Sequence, residues 1–64
     1  MMKYRIKEIR RAKEMTLSQL AERAGITPQL LLALEDGRIK LVTTETLLNV
    51  AEALETSVDD LFCL

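Results

Sequence analysis

With no histidine and a single cysteine, Cys63, this chain of 64 residues has little with which to activate a nucleophile or hold a metal. A zinc site draws on about four His, Cys or carboxylate ligands, and here the soft ones are too few. Ser18 and Ser57 have no base to partner them and are better explained as helix-start residues; Cys63, equally without a base, reads as an inert thiol. Neither an enzyme nor a cofactor is expected. What remains is electrostatic chemistry. Formal net charge is −1 and pI about 5.3, yet the charges are segregated. All nine Lys and Arg lie in residues 1–40 against five acids, a net of +4; residues 41–64 carry five acids and no base, a net of −5. Such a chain can turn a basic face to phosphate and an acidic face away, although ordinary solvated surface is equally open on charge alone.

The elements that must position those charges read as one domain, residues 1–64. Hydrophobic residues make up 48% and charged residues 30%, a globular composition. A domain this small hides only about 60% of its unfolded surface, so its stability is marginal. With no disulfide or metal to supplement it, a homodimer is the default expectation. Residues 1–8 alternate charged and apolar groups without a signal-peptide run. The longest apolar stretch, Leu30 to Leu34, is far short of the roughly 20 residues of a membrane span. A cytoplasmic protein is expected.

No strand is expected, because no apolar/polar alternation persists. Five helices are predicted, over about 3–13, 17–24, 28–36, 44–54 and 58–62. The first turns Ile6, Ile9 and Ala12 inward. Thr16 and Gln19 form a capping box for the second, whose buried stripe is Leu20, Ala21 and Ala24, and Gly25 ends it. Thr27 caps the third with Pro28 at its first position, and Gly37 closes it. Thr43 caps the fourth, in which Leu47, Leu48, Val50, Ala51 and Leu54 are the apolar set. Asp59 and Asp60 sit favourably at the positive end of a short fifth helix, with Leu61 in the core.

The informative feature is the tight junction at Gly25-Ile26-Thr27. Two short helices follow each other almost at once, with Ala21 small where they cross and Ile26, Leu31 and Leu34 as anchors. Such a unit holds its second helix proud of the surface, where it can enter a major groove about 12 Å wide. In this respect the chain resembles the Cro and phage-repressor family of helix-turn-helix regulators, the XRE type. The resemblance runs through Arg5-Ile6-Lys7-Glu8-Ile9-Arg10, Met15-Thr16, Gln19-Leu20-Ala21, Ala24-Gly25-Ile26-Thr27, Leu34-Glu35-Asp36-Gly37, Thr46-Leu47-Leu48, Val50-Ala51-Glu52-Ala53-Leu54 and Leu61-Phe62.

That resemblance implies an all-α, compact five-helix fold of the lambda-repressor type and a transcriptional regulator that binds double-stranded DNA as a homodimer. It implies an ion pair between Arg10 and Glu35. Phosphate contacts fall to Thr16, Leu17 and Ser18 at the start of the second helix, to Thr27, and to Arg38, Lys40, Thr43 and Thr44. Base contacts fall to Pro28, Gln29, Leu32 and Ala33 on the outward face of the third helix, where Gln29 is the residue able to bond adenine twice. The dimer contact falls to Leu41, Val58, Phe62 and Leu64. The chain departs from the family at Leu17, where a polar residue is common, and at Glu14, where glycine or asparagine often ends the first helix. It departs again at Leu30-Leu31-Leu32, in a helix that is usually more polar. The leucines keep a second reading open: an antitoxin-like or regulator-sequestering interaction module on the same fold. No small-molecule ligand is implied.

Overall fold

The computed structural model describes residues 3–39 and 42–63, with Lys3, Phe62 and Cys63 described by backbone alone. Four α-helices make up the body: α1 (Ile6–Ala12), α2 (Leu17–Ala24), α3 (Pro28–Glu35) and α4 (Thr44–Ala53). A 3-10 turn, Asp59–Leu61, stands where a fifth helix was expected. Expectation also fails at Lys3–Tyr4, which is a short strand, β1, and not the first turn of α1. It pairs antiparallel with β2 (Phe62–Cys63), Lys3 opposite Cys63 and Tyr4 opposite Phe62. The Arg5 N–H extends the ladder by donating to the Leu61 carbonyl at 2.6 Å. Two residues are too few to show an alternating pattern, and the pairing joins segments about 58 positions apart, so local sequence carried no signal for it. The 3-10 turn is held by Asp60. Its N–H donates to Ser57, and its carboxylate accepts from the Thr56 hydroxyl at 2.8 Å. That bond, with help from Ser57, holds the Asp60 carboxyl below the usual aspartate range.

Each of α2, α3 and α4 starts at a threonine in extended conformation whose hydroxyl accepts from the backbone N–H three residues on: Thr16 from Gln19, Thr27 from Leu30, Thr43 from Thr46. At Thr16 the Gln19 amide oxygen accepts from the threonine N–H in return, completing the capping box. All four helices end in one manner. A residue of positive φ closes each, its N–H bonded three residues back and the next N–H five back. Two of the four are Gly25 and Gly37, at φ 71° and 72°; the others are Glu14 and Glu55, at φ 56° and 55°. The Glu14 position is thus strained for a residue with a Cβ, at about 1–2 kcal/mol.

The core is one cluster. Ile6 of α1, Leu20, Ala21 and Ala24 of α2, Leu31 and Leu34 of α3, Val50, Ala51 and Leu54 of the α4 region, and Leu61 are all buried. Ala12 was expected inward and is exposed; Leu48, expected in the apolar set of the fourth helix, is 53% exposed. Neither shift disturbs the helix assignments. At 100° per residue Leu48 falls beside the inward positions, not on them.

The one buried charged residue among those described is Glu35, on the last turn of α3. Arg10 of α1 meets it with two parallel bonds, Nε to Oε2 at 2.8 Å and Nη2 to Oε1 at 3.1 Å. The third face of the guanidinium donates from Nη1 to the Met15 carbonyl at 2.9 Å. The carboxylate hydrogen bond holds the Arg10 pKa above its ordinary value, against the smaller effect of burial. Side-chain exposures of 11% for Arg10 and 1% for Glu35 put this pair in the regime where losing one partner strands a charge.

Three expectations follow for stability. Arg10→Met leaves Glu35 buried without a cation and costs about 3–5 kcal/mol. That equals the whole stability typical of so small a core, so the variant melts out near room temperature. Arg10→Met combined with Glu35→Leu recovers most of the loss in urea melts, because no charge is then left unpaired. Glu14→Gly relieves the left-handed strain and raises stability by roughly 0.5–1 kcal/mol, after the greater chain entropy of glycine is set against it; an unchanged urea midpoint refutes this.

Candidate nucleic-acid interface

Between α2 and α3 lie three residues, Gly25, Ile26 and Thr27. Gly25 reverses the chain in the left-handed region, Ile26 packs half-buried on the core, and Thr27 caps the next helix. The small buried faces of Ala21 and Ala24 let the two helices approach closely. With Leu31, Leu34 and Glu35 turned inward, the opposite stripe of α3 consists of Pro28, Gln29, Leu32 and Asp36, all exposed, with Ala33 half-buried beside them. Of the three consecutive leucines Leu31 is fully buried, Leu30 is half-buried and Leu32 is 41% exposed.

Six of the residues expected to grip phosphate fall at helix starts. Thr16 and Ser18 are exposed at the start of α2, Thr27 at that of α3, Thr43 and Thr44 at that of α4. Capping consumes only one amide at each start. The other first-turn N–H groups, those of Leu17, Ser18, Gln29, Thr44 and Glu45, have no acceptor within their own helix. Free amides at the positive end of a helix dipole suit an anion. The Leu17 side chain packs partly into the core, which leaves its backbone, not its side chain, for such a contact. Two acids temper the surface. Asp36 pairs with Arg38 at 3.5 Å, and Glu45 occupies the first turn of α4, where it already complements the dipole. With exposures of 62% and 44%, the Arg38–Asp36 pair is worth little and exchanges readily for a phosphate oxygen. Lys40 lies outside the described residues.

Several features had no signal in the sequence. The bond from Arg10 to the Met15 carbonyl depends on how the α1–α2 turn folds back. The Arg38–Asp36 contact crosses a glycine turn whose shape spacing alone does not give. Among the residues expected at a dimer contact, Val58 is half-buried against the core of its own chain, and Phe62 pairs with Tyr4 through its backbone. Leu41 and Leu64 lie outside the described residues. No helix among those described is long and apolar enough to cross a membrane.

Comparison with known proteins agrees with this geometry. The family model of the Cro/C1-type HTH DNA-binding domain matches residues 5–64. The biofilm master regulator SinR, solved in complex with DNA, is similar at 34% identity over 86% of this chain and 87% of that one, with a TM-score of 0.81. SinR in complex with SinI gives 35% identity over 84% of this chain and 52% of that one, TM-score 0.80. The clp gene regulator ClgR from C. glutamicum gives 42% identity over 86% and 70%, TM-score 0.77. No curated protein sequence matches. A buried Arg–Glu clasp, two short helices about a glycine turn and an outward third helix thus come with a family match over nearly the whole chain: this protein belongs to the Cro/C1-type helix-turn-helix family of DNA-binding transcription regulators.

Proposed function

We propose that this domain binds specific double-stranded DNA sites as a homodimer, each subunit laying α3 in one major groove, with half-sites about 10 bp apart on one side of the duplex. The observation that carries the reading is the exposed stripe of α3 in a chain whose α2, α3 and α4 each begin at a threonine cap with further first-turn amides free. Pro28, Gln29, Leu32 and Ala33 touch base edges, and Gln29 makes the directional contact, two bonds to one adenine. Thr16, Leu17 through its N–H, Ser18, Thr27, Arg38, Lys40, Thr43 and Thr44 hold phosphate and set register without reading sequence. A protein of net charge −1 can do this because its cations lie in the segment that includes the helix-turn-helix. The dimer contact involves Val58 and Phe62 with Leu41 and Leu64, covering apolar groups that so small a core leaves over. The cytoplasm is the compartment that suits such a regulator.

A second reading is favoured by the exposure of Leu32 and Leu48, which suits a protein partner. In that role, antitoxin-like or regulator-sequestering, the domain does not need DNA.

Titration of a selected duplex at several salt concentrations separates these readings. Wild type binds at low salt and weakens steeply as salt rises; a protein that ignores DNA even at low salt belongs to the second reading. Gln29→Ala costs about 1–3 kcal/mol and relaxes preference at one base position. Arg38→Ala weakens all sequences alike and lowers the salt slope by about 0.9, whereas Asp36→Asn strengthens binding by freeing Arg38 and removing a charge repelled by phosphate. Sedimentation at high micromolar concentration gives the mass of two chains; a mass of one chain there, and one chain per duplex on DNA, removes the homodimer.

A further inference from the structure

The exposed stripe of α3 holds two polar side chains, Gln29 and Asp36, and Asp36 is engaged with Arg38. The remainder, Pro28, Leu32 and Ala33, can neither donate nor accept a hydrogen bond. Leu32 is exposed because Leu31 and Leu34 already fill the inward side, and the 100° step carries it off the core. The same stripe begins at the free first-turn amide of Gln29 and ends beside the Arg38 guanidinium, which Asp36 holds at 3.5 Å, groups that suit a polyanion. In a major groove the base edges offer donors, acceptors and one apolar group, the C5-methyl of thymine. A leucine can discriminate bases there only through that methyl. Pro28 to Leu32 advances about 6 Å along the helix axis, against about 3.4 Å between base pairs, so the apolar centre covers one or two adjacent positions.

We infer that Leu32, with Ala33 beside it, reads the C5 position of pyrimidines, so that this domain selects thymine there and accepts 5-methylcytosine in preference to cytosine. The inference rests on the DNA-binding reading and specifies its ligand.

The test uses a duplex enriched from a random pool by the wild-type protein. Each thymine of a half-site is replaced in turn by deoxyuridine, which keeps every hydrogen-bonding edge and loses only the methyl. Binding weakens about fourfold per methyl at one or two adjacent positions. That sensitivity disappears in Leu32→Ala and persists in Gln29→Ala. At the sensitive position 5-methylcytosine binds about fourfold more tightly than cytosine. Leu32→Ala is first shown by circular dichroism to melt with wild type, as a side chain outside the buried cluster allows. Uridine that is neutral throughout a duplex the wild type still binds overturns the inference, as does uridine sensitivity undiminished in Leu32→Ala. Failure to enrich any duplex is a distinct result: it removes DNA binding itself, and methyl reading with it.

Discussion

Glu35 sits on α3 with almost no access to water, and a carboxylate in that position is tolerable only because Arg10 reaches it with a matched fork. The geometry of that fork sets more than one contact. With its remaining N–H bonded to the Met15 carbonyl, a single guanidinium ties together α1, the turn that follows it and the end of α3. Once Glu35 is held inward, the rotation of α3 about its own axis is decided. Leu31 and Leu34 must face the core, and Pro28, Gln29, Leu32 and Asp36 must face out. The outward stripe of α3, proposed above as the face that meets DNA, is therefore a consequence of a charge pair buried on the other side of the same helix.

Helices of seven to ten residues are too short to persist alone in water. Here three are bounded at both ends and α1 at its C-terminal end. Threonine hydroxyls occupy three of the starts, and a left-handed residue with paired back-bonds closes all four ends. These devices convert weak helical propensity into defined endpoints, and defined endpoints are what allow a turn of three residues between α2 and α3. They also leave amides unbonded at helix starts. The same feature that stops each helix cleanly thus provides a place for an anion.

Charge is handled by separation. The net −5 of residues 41–64 and the net +4 of residues 1–40 sum to a slightly negative molecule, so steering depends on which side approaches a duplex. Asp36 and Glu45 lie close to the expected phosphate contacts and moderate the attraction. An apolar centre on α3 gains nothing from phosphate, so in the proposed complex it places selectivity on base edges.

From residue types alone came the four helices, the threonine caps, the glycine turns, and the inward and outward faces of α3. These are local properties, carried by hydroxyls three residues from an amide, by glycine at positive φ and by apolar spacing of three and four. The Arg10–Glu35 pair was also named in advance, through likeness to a family. Other features were decided only by tertiary structure. The final segment became a 3-10 turn and a strand because its backbone found Lys3 and Tyr4 from the far end of the chain, a partnership with no local pattern. Glu55 ends α4 in the left-handed conformation, although glutamate gives no sign of it, while at Glu14 the family likeness already marks a helix end. Ala12 and Leu48 turned outward because the core was already filled by larger or better-placed groups. Sequence spacing assigns a side chain to a face; only the assembled core decides which faces are covered.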